Sequence, residues 1–200
     1  MLQIGITGGI GSGKSLVSRV FHALGVDIYD SDTEAKLLMK THPEIRRGLI
    51  SLFGSEVYDD KGELNSQHIS RIAFDDKTVL EKLNALVHPQ VKNHYLRWAD
   101  KQKIKGKKYV IKESALLFEI GASKDYDAVI LVTASESVRI ERVKARDTKR
   151  TEEQIKAIMK KQMPESEKEK LTKYIIRNEG NHPILPQILA LHDNFSKGIV

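Results

Sequence analysis

The sequence predicts an α/β fold in which a parallel β-sheet is covered by helices and interrupted by a helical insertion. A strand, a Gly-rich loop, a helix and a second strand follow one another at the start of the chain. They fit into roughly thirty residues, the length of a βαβ unit with parallel strands. Later strand-like runs alternate with helix-like segments, as in doubly wound sheets. No linker, repeat or low-complexity tract separates these elements, so we predict one domain for the 200 residues.

The first elements follow from the spacing of the apolar residues. The strand QIGIT precedes a helix from Lys14 to Leu24, whose apolar residues recur at helical spacing. The run VDIYDSD predicts a second strand that ends in two acids. Residues 33–97 are mostly helical and polar, without an obvious strand. We therefore predict an inserted helical lobe, and a longer helix that begins at His88-Pro89, because Pro is typical of helix N-termini.

The remaining elements alternate between strand and helix. KYVIKESALLF and YDAVILVTA predict strands, whereas SESVRIERVKARD and TEEQIKAIMKKQ predict helices. Thr151 and Gln154 have the spacing of a capping box. KYIIRN predicts a last strand, and PILPQILALHDNF predicts a closing helix.

Composition excludes several classes of protein. The chain has no cysteine, so neither a disulfide framework nor a thiolate metal site is available. Its His residues show no H-E-x-x-H spacing, and we expect no transition-metal site. No run approaches the roughly 20 apolar residues of a membrane span, and the N-terminus lacks the features of a signal peptide. We expect a cytoplasmic protein without a membrane partner.

The net charge of +6 favours an anionic partner, which could be a nucleic acid, an acidic surface or a phosphorylated ligand. The Lys-rich run of residues 97–112 contains a single acid. We interpret this run as a solvated helix end and loop, because no aromatic platform is interleaved with its Lys residues.

Residues Gly8 to Ser15, GGIGSGKS, match the pattern G-x-x-x-x-G-K-[ST] at every fixed position. In such a loop, backbone N–H groups and the N-terminus of the next helix bind phosphate oxygens. Lys14 would neutralise the outer phosphates, and the Ser15 hydroxyl would reach Mg²⁺. The Gly residues would keep Cβ atoms from obstructing the loop or the phosphates. The loop predicts a nucleotide site but does not distinguish a kinase from a GTPase, a motor or a regulatory nucleotide binder.

Asp30 and Asp32 lie on either side of Ser31 at the end of the second predicted strand. In an extended chain their side chains point to one face, at the strand end where open α/β sheets place ligands. One carboxylate could act as a base at an acceptor hydroxyl, and the other could hold a metal ion through water. The alternative is a polar turn in which Asp32 caps the next helix.

Arg139, Arg142, Arg146 and Arg150 are spaced i, i+3, i+7 and i+11 and would share one face of a helix. Because Arg suits forked phosphate contacts, this stripe predicts a lid that closes on ATP and supplies charge to the transition state. The alternative is a solvated basic face, above all for Arg139 and Arg150.

The motifs of the chain, taken together, resemble a known family. In chain order they are GITGGIGSGKS, DSD, RIAFDD, LNALVHP, ALLFE, RVKARD, KKQMP and IIRNEG. This set resembles the dephospho-CoA kinase family over essentially the whole chain. The resemblance implies transfer of the γ-phosphate of ATP to the 3′-hydroxyl of dephospho-CoA, the last step of coenzyme A synthesis. It also implies a three-layer P-loop NTPase core with a parallel sheet, an inserted helical substrate lobe and a helical lid.

The resemblance further implies boundaries and site residues. The core would comprise residues 1–32, 98–135 and 170–200, with a CoA-binding lobe at 33–97 and a lid at 136–169. The catalytic residues would be Asp32, as the base, with Lys14 and Arg142. The ATP-binding residues would be Gly11, Ser12, Gly13, Lys14, Ser15, Leu16, Arg142, Arg146, Asn178 and Gly180. Substrate would be bound by Asp32, Arg71 and His88, and Mg²⁺ by Ser15 and Asp30, directly or through water.

The chain departs from the family pattern at two places. Glu113 and Ala115 stand where the family often has Asp and Pro, and Thr172-Lys173 precedes the last strand in place of the usual AD. Glu113 can still serve near the metal with a longer arm. The resemblance implies ATP and Mg²⁺ as cofactors, dephospho-CoA as substrate and no nucleic acid partner. The alternatives are a kinase of nucleoside monophosphates and a nucleotide-dependent protein that binds nucleic acid.

Overall fold

Five parallel strands form one sheet in the computed structural model, which describes residues 1–180 and 182–200. The side chains of Phe74, Asp75 and Lys77 lie outside this description. The strands are β1 (Leu2–Thr7), β2 (Asp27–Asp30), β3 (Tyr109–Glu113), β4 (Ala128–Thr133) and β5 (Tyr174–Arg177). Their order in the sheet is β2-β3-β1-β4-β5, and each neighbouring pair is parallel. The carboxyl ends of all five strands therefore lie along one edge, where α/β sheets bind ligands.

Helices follow β1, β2, β4 and β5 along the chain. They are α1 (Lys14–Ala23), α2 (Ser31–Thr41), α3 (Pro43–Phe53), α4 (Ser66–Asp75), α5 (Lys77–Ile104), α6 (Glu136–Arg146), α7 (Glu152–Lys161), α8 (Glu165–Lys168) and α9 (Ile184–Ser196). The capping box at the start of α7 is confirmed, because Thr151 and Gln154 each accept the other's backbone N–H. Within the described residues, no helix is both long enough and apolar enough to cross a membrane.

The chain divides into two units, which we call the sheet unit (residues 1–30 and 102–200) and the helical unit (residues 31–101). In the sheet unit, side chains of β4 alternate between two apolar clusters. Ile130 and Val132 pack with residues of α1 and α9 on one face, whereas Val129 and Leu131 pack with Leu117 and its neighbours on the other. The sheet is thus covered on both faces, and the predicted α/β core is confirmed.

The helical unit contains α2, α3, α4 and most of α5. Its α3 buries Ile45, Leu49 and Phe53 at helical spacing. A Cβ on Gly48 would lie 2.5 Å from the Leu86 side chain, so α3 and α5 approach closely at this Gly. The β-pairing that the structure describes in this unit is an isolated bridge between Tyr58 and Leu64.

The predicted strand end at Asp32 is wrong. β2 ends at Asp30 and α2 begins at Ser31, so Asp32 lies in the first turn of a helix. Acidic side chains are stabilised there by the partial positive charge of the helix N-terminus. Asp30 and Asp32 therefore do not alternate along one extended face.

The predicted helix start at His88-Pro89 is also wrong, because α5 runs continuously through Pro89. Proline lacks an N–H group, so it removes one internal hydrogen bond from the helix. Apolar side chains on both sides of Pro89 are buried at helical spacing, namely Val87, Val91, Tyr95 and Ala99. Their burial offsets the missing hydrogen bond and keeps the helix continuous.

Candidate active site

The Gly-rich loop connects the carboxyl end of β1 to the first turn of α1. It folds back on itself through a hydrogen bond from Ser12 N to Gly9 O at 3.1 Å, and Gly13 O accepts from the N–H groups of Leu16 and Val17. Gly11 and Gly13 have φ angles of 79° and 92°, a region that side chains rarely adopt. The loop therefore places the N-terminus of α1 at the ligand-binding edge of the sheet.

The surroundings of the loop explain why its Gly residues cannot carry side chains. A Cβ on Gly8 would collide with Val132 O, and a Cβ on Gly13 would collide with the Asn178 amide. A Cβ on Gly11 would lie 2.5 Å from Arg139 O. The sequence suggested that a Cβ would obstruct the loop or the phosphates. In the structure, the packing of the chain against its own loop already excludes these side chains.

Two oxygen-bearing side chains make contact at the carboxyl end of β3, and a third lies beside them in strand register. Ser15 Oγ donates to Glu113 Oε1 at 3.1 Å. Asp30 is the residue of β2 that pairs in register with Glu113 of β3. Hydroxyl and carboxylate oxygens are the ligands that Mg²⁺ prefers, so Ser15, Asp30 and Glu113 fit this ion chemically. The described residues contain no cluster of three or more His, Cys, Asp or Glu side chains that could hold a metal by themselves.

Arg142 places a cation against the loop. One of its guanidinium nitrogens, Nη1, is buried without a hydrogen-bond partner and lies 3.8 Å from the position of a Cβ on Gly13. A buried donor without a partner is unfavourable, and an anion in the loop would satisfy it. Lys14 is the first residue of α1, and Arg146 lies exposed at the last residue of α6.

Arg139 and Arg150 do not belong to a phosphate-facing stripe with Arg142. Arg139 is 6% exposed; its Nε donates to Ile10 O at 2.9 Å, and its Nη1 lies 3.2 Å from Glu165 Oε1. Arg150 lies beyond the end of α6 and pairs with Asp147 at 3.2 Å. The stripe predicted from spacing is wrong at these two positions, because the helix ends at Arg146 and Arg139 is buried.

The segment after β5 contacts the loop through Asn178. Its Nδ2 donates to Ser12 O at 2.9 Å, its N–H donates to Thr133 O at 2.8 Å, and the residue is 7% exposed. The adjacent Glu179 accepts from Ser135 N at 2.8 Å. Hydrogen bonds from the Ser135 side chain and backbone lower the pKa of Glu179. An adenine contact for Asn178 and Gly180 stays a prediction, and the Asn178 amide already holds the loop backbone.

The other predicted residues lie in the helical unit. Asp32 is exposed in the first turn of α2, Arg71 is exposed on α4, and His88 is exposed on α5. Their roles in catalysis and substrate binding stay predictions.

Sequence reasoning missed several side chains that hold the site together. Gln162 Oε1 accepts from Ile10 N at 2.9 Å. Lys168 is fully buried and lies 2.9 Å from Glu119 Oε1. Gln162 and Glu119 occur within the motifs KKQMP and ALLFE, but the pattern indicated no contact for them.

Comparison with known proteins decides the family. A family model described as dephospho-CoA kinase matches residues 2–183. The chain belongs to this family. A dephospho-CoA kinase from Bacteroides fragilis strain YCH46 is 38% identical over 190 residues, which is 95% of this chain and 91% of the relative. A dephospho-CoA kinase from Porphyromonas gingivalis is 36% identical over 191 residues, covering 96% and 93% of the two chains. The predicted resemblance is confirmed.

Solved structures support the same fold. A crystal structure from Thermus thermophilus has a TM-score of 0.82 at 30% identity and covers 98% of this chain and 97% of its own. The dephospho-CoA kinase from Campylobacter jejuni has a TM-score of 0.72 at 22% identity, with 98% of each chain covered. A shikimate kinase from Bacteroides thetaiotaomicron has a TM-score of 0.52 at 13% identity over 96% of each chain. The dephospho-CoA kinase family member described here thus has the fold of P-loop kinases, as the sequence predicts.

Proposed function

We propose that this kinase transfers the γ-phosphoryl group of ATP to the 3′-hydroxyl of dephospho-CoA, which yields coenzyme A and ADP in the last step of coenzyme A synthesis. The observation that carries the proposal is the complete phosphate loop, with the Ser15–Glu113 contact at its end, in a chain of the dephospho-CoA kinase family. A cytoplasmic location, without nucleic acid or membrane partners, belongs to the same proposal.

The phosphate side of the reaction follows from the sheet unit. Backbone N–H groups of Gly11 to Ser15 and the Lys14 ammonium would hold the phosphates of ATP, with Leu16 beside them. When bound, Mg²⁺ neutralises charge on the phosphates. Ser15 and Asp30 would hold it, with Glu113 alongside. Arg142 and Arg146 would stabilise the charge that develops on the transferred group.

The acceptor side is assigned to the helical unit. Asp32 would accept the proton of the 3′-hydroxyl as the new O–P bond forms and the bond to the β-phosphate oxygen breaks. Arg71 and His88 would bind dephospho-CoA. On the nucleotide side, Asn178 and Gly180 of the sheet unit would lie beside the adenine of ATP. The lid at residues 136–169 and the CoA-binding lobe at 33–97 belong to this proposal.

Turnover with a panel of acceptors tests the proposal. ADP release should depend on dephospho-CoA, on ATP and on added Mg²⁺, and it should be absent with AMP or CMP as acceptor. Release with AMP or CMP alone would identify a nucleoside monophosphate kinase instead. Strong, steeply salt-dependent binding to polynucleotides at about 0.15 M salt, without turnover of dephospho-CoA, would favour a nucleic-acid-binding protein.

A further inference from the structure

The peptide groups on both sides of Ile10 are held by side chains far along the chain. The Ile10 N–H donates to Gln162 Oε1 at 2.9 Å, and the Ile10 carbonyl accepts from Arg139 Nε, also at 2.9 Å. The Ile10 side chain packs against a buried apolar cluster of α6 and α7, formed by Ile140, Val143 and Ile155. Ile10, which precedes the predicted phosphate-binding residues, is thus held through its N–H group, its carbonyl and its side chain.

The bond from Arg139 fixes the direction of the next N–H group. The Ile10 carbonyl and the Gly11 N–H belong to one planar trans peptide, in which the two groups point in opposite directions. Gly11 has a φ of 79°, and Gly restricts its own backbone less than any other residue. The orientation of this peptide therefore depends on external contacts. Because Arg139 Nε holds the carbonyl, the Gly11 N–H points away from this guanidinium nitrogen.

The positive charge of Arg139 is paired with the Glu165 carboxylate of the same chain. Its side chain is 7% exposed, and its Nη1 lies 3.2 Å from Glu165 Oε1. A buried guanidinium that is already paired and hydrogen-bonded has little remaining capacity for a phosphate. Arg142, one turn further on, differs because its Nη1 is buried without a partner.

A buried ion pair fixes the turn from which Gln162 and Glu165 reach the loop. Glu119 Oε1 accepts from Met163 N at 3.1 Å and lies 2.9 Å from Lys168 Nζ. Lys168 is fully buried, so this pair is shielded from solvent and has few alternative arrangements. The contacts run from the segment after β3, through residues 162–168, to the phosphate loop.

We propose that Arg139 and Gln162 are positioning residues, which hold the Ile10 peptide so that the Gly11 N–H faces the phosphates of ATP. In this proposal, each side chain acts on the phosphates only through the Ile10 peptide. The inference rests on the proposed function only in taking ATP as the ligand.

The test measures ATP binding without an acceptor, by calorimetric titration of the full chain in Mg²⁺. Arg139→Met and Gln162→Met should each raise the Kd for ATP by roughly fivefold to thirtyfold, because each leaves a backbone group of the loop unpaired. Arg150→Met is the matched control and should change the Kd by less than about twofold, because Arg150 pairs only at the surface. Amide exchange at Ile10 should become faster in Gln162→Met.

A double-variant cycle separates positioning from independent roles. Arg139 and Gln162 act on one residue, so Arg139→Met/Gln162→Met should raise the Kd for ATP by less than the product of the two single effects. Effects that multiply fully would overturn the proposal. So would a folded Gln162→Met that binds ATP as tightly as the unaltered chain.

The test still works if one variant misfolds or if the proposed function fails. Gln162 is only partly buried, so Gln162→Met tests the proposal alone if Arg139→Met does not fold. Unaltered protein that binds ATP but does not phosphorylate dephospho-CoA would overturn the proposed function and leave this inference standing.

Discussion

Two candidate residues of the sheet unit make hydrogen bonds to distant parts of the chain, whereas the candidates of the helical unit lie at exposed positions on helices. Ser12 O is held by Asn178, and Ser15 donates to Glu113. Asp32, Arg71 and His88 instead lie at exposed positions of three different helices. Donors that are already in place stabilise the transferred phosphate in the transition state without reorganisation. Exposed side chains can instead be ordered when a ligand binds. We therefore expect substitutions in the two units to affect different kinetic constants.

The largest effect is expected at Asp32 in the helical unit. Asp32→Asn removes a base but leaves the phosphate loop intact, so kcat should fall by about 10² to 10⁴ while the Kd for ATP stays within about twofold. Steady-state kinetics and ATP titration measure the two quantities. Asp60→Asn, at another exposed Asp of the same unit, is the control and should leave kcat unchanged. A near-normal kcat in Asp32→Asn would remove Asp32 from this role.

The next largest effect is expected on the free energy of unfolding, from a substitution at Lys168 in the sheet unit. Lys168→Met leaves the largely buried Glu119 carboxylate without its cation, and the free energy of unfolding should fall by about 3 kcal/mol. Urea denaturation followed by circular dichroism measures this loss. Glu119→Gln/Lys168→Met should recover much of the stability, because a Gln oxygen can still accept from Met163 N. Equal stability of Lys168→Met and the unaltered chain would show that the pair does not fix this turn.

Arg142 belongs to the sheet unit and, in our proposal, would act on the group being transferred. Arg142→Ala should lower kcat by about 10² and change the KM for dephospho-CoA much less. Arg150→Ala, at an Arg paired with Asp147 outside the site, is the control. A loss confined to the KM for dephospho-CoA would assign Arg142 to acceptor binding instead.

Within the sheet unit, the sequence predicted the phosphate loop correctly but not the surroundings of Arg139. The pattern from Gly8 to Ser15 predicted the loop because its residue types follow from local backbone geometry and from the phosphate ligand. The i, i+3 spacing of Arg139 and Arg142 predicted a common helix face but could not show that Arg139 is buried. Its burial depends on Ile10 and Glu165, which are distant in sequence.

Two further errors have different causes, one local and one tertiary. The acids around Ser31 fit a strand end and a helix start equally well, because Asp is favourable in the first turn of a helix. At Pro89, a usual helix-start signal was overridden by tertiary packing, since the apolar residues before and after it are buried together along α5. No local pattern indicates a fully buried Lys168, because buried Lys residues are rare and need a partner that the fold supplies.

The smallest of these effects is expected at Glu113, where the chain departs from the usual family residue. Glu113→Gln keeps an oxygen that can accept from Ser15 Oγ but removes a negative charge beside the proposed Mg²⁺ position. The Mg²⁺ concentration for half-maximal turnover should therefore rise by about tenfold, while kcat at saturating Mg²⁺ changes little. Glu113→Asp keeps the charge but shortens the arm, so it should lose the 3.1 Å contact with Ser15 and retain most of the Mg²⁺ affinity. Glu141→Gln, on the exposed surface of α6, is the control. If Glu113→Gln leaves the Mg²⁺ dependence unchanged, the carboxylate serves to orient the Ser15 hydroxyl, and Asp30 with Ser15 would be sufficient to hold the ion.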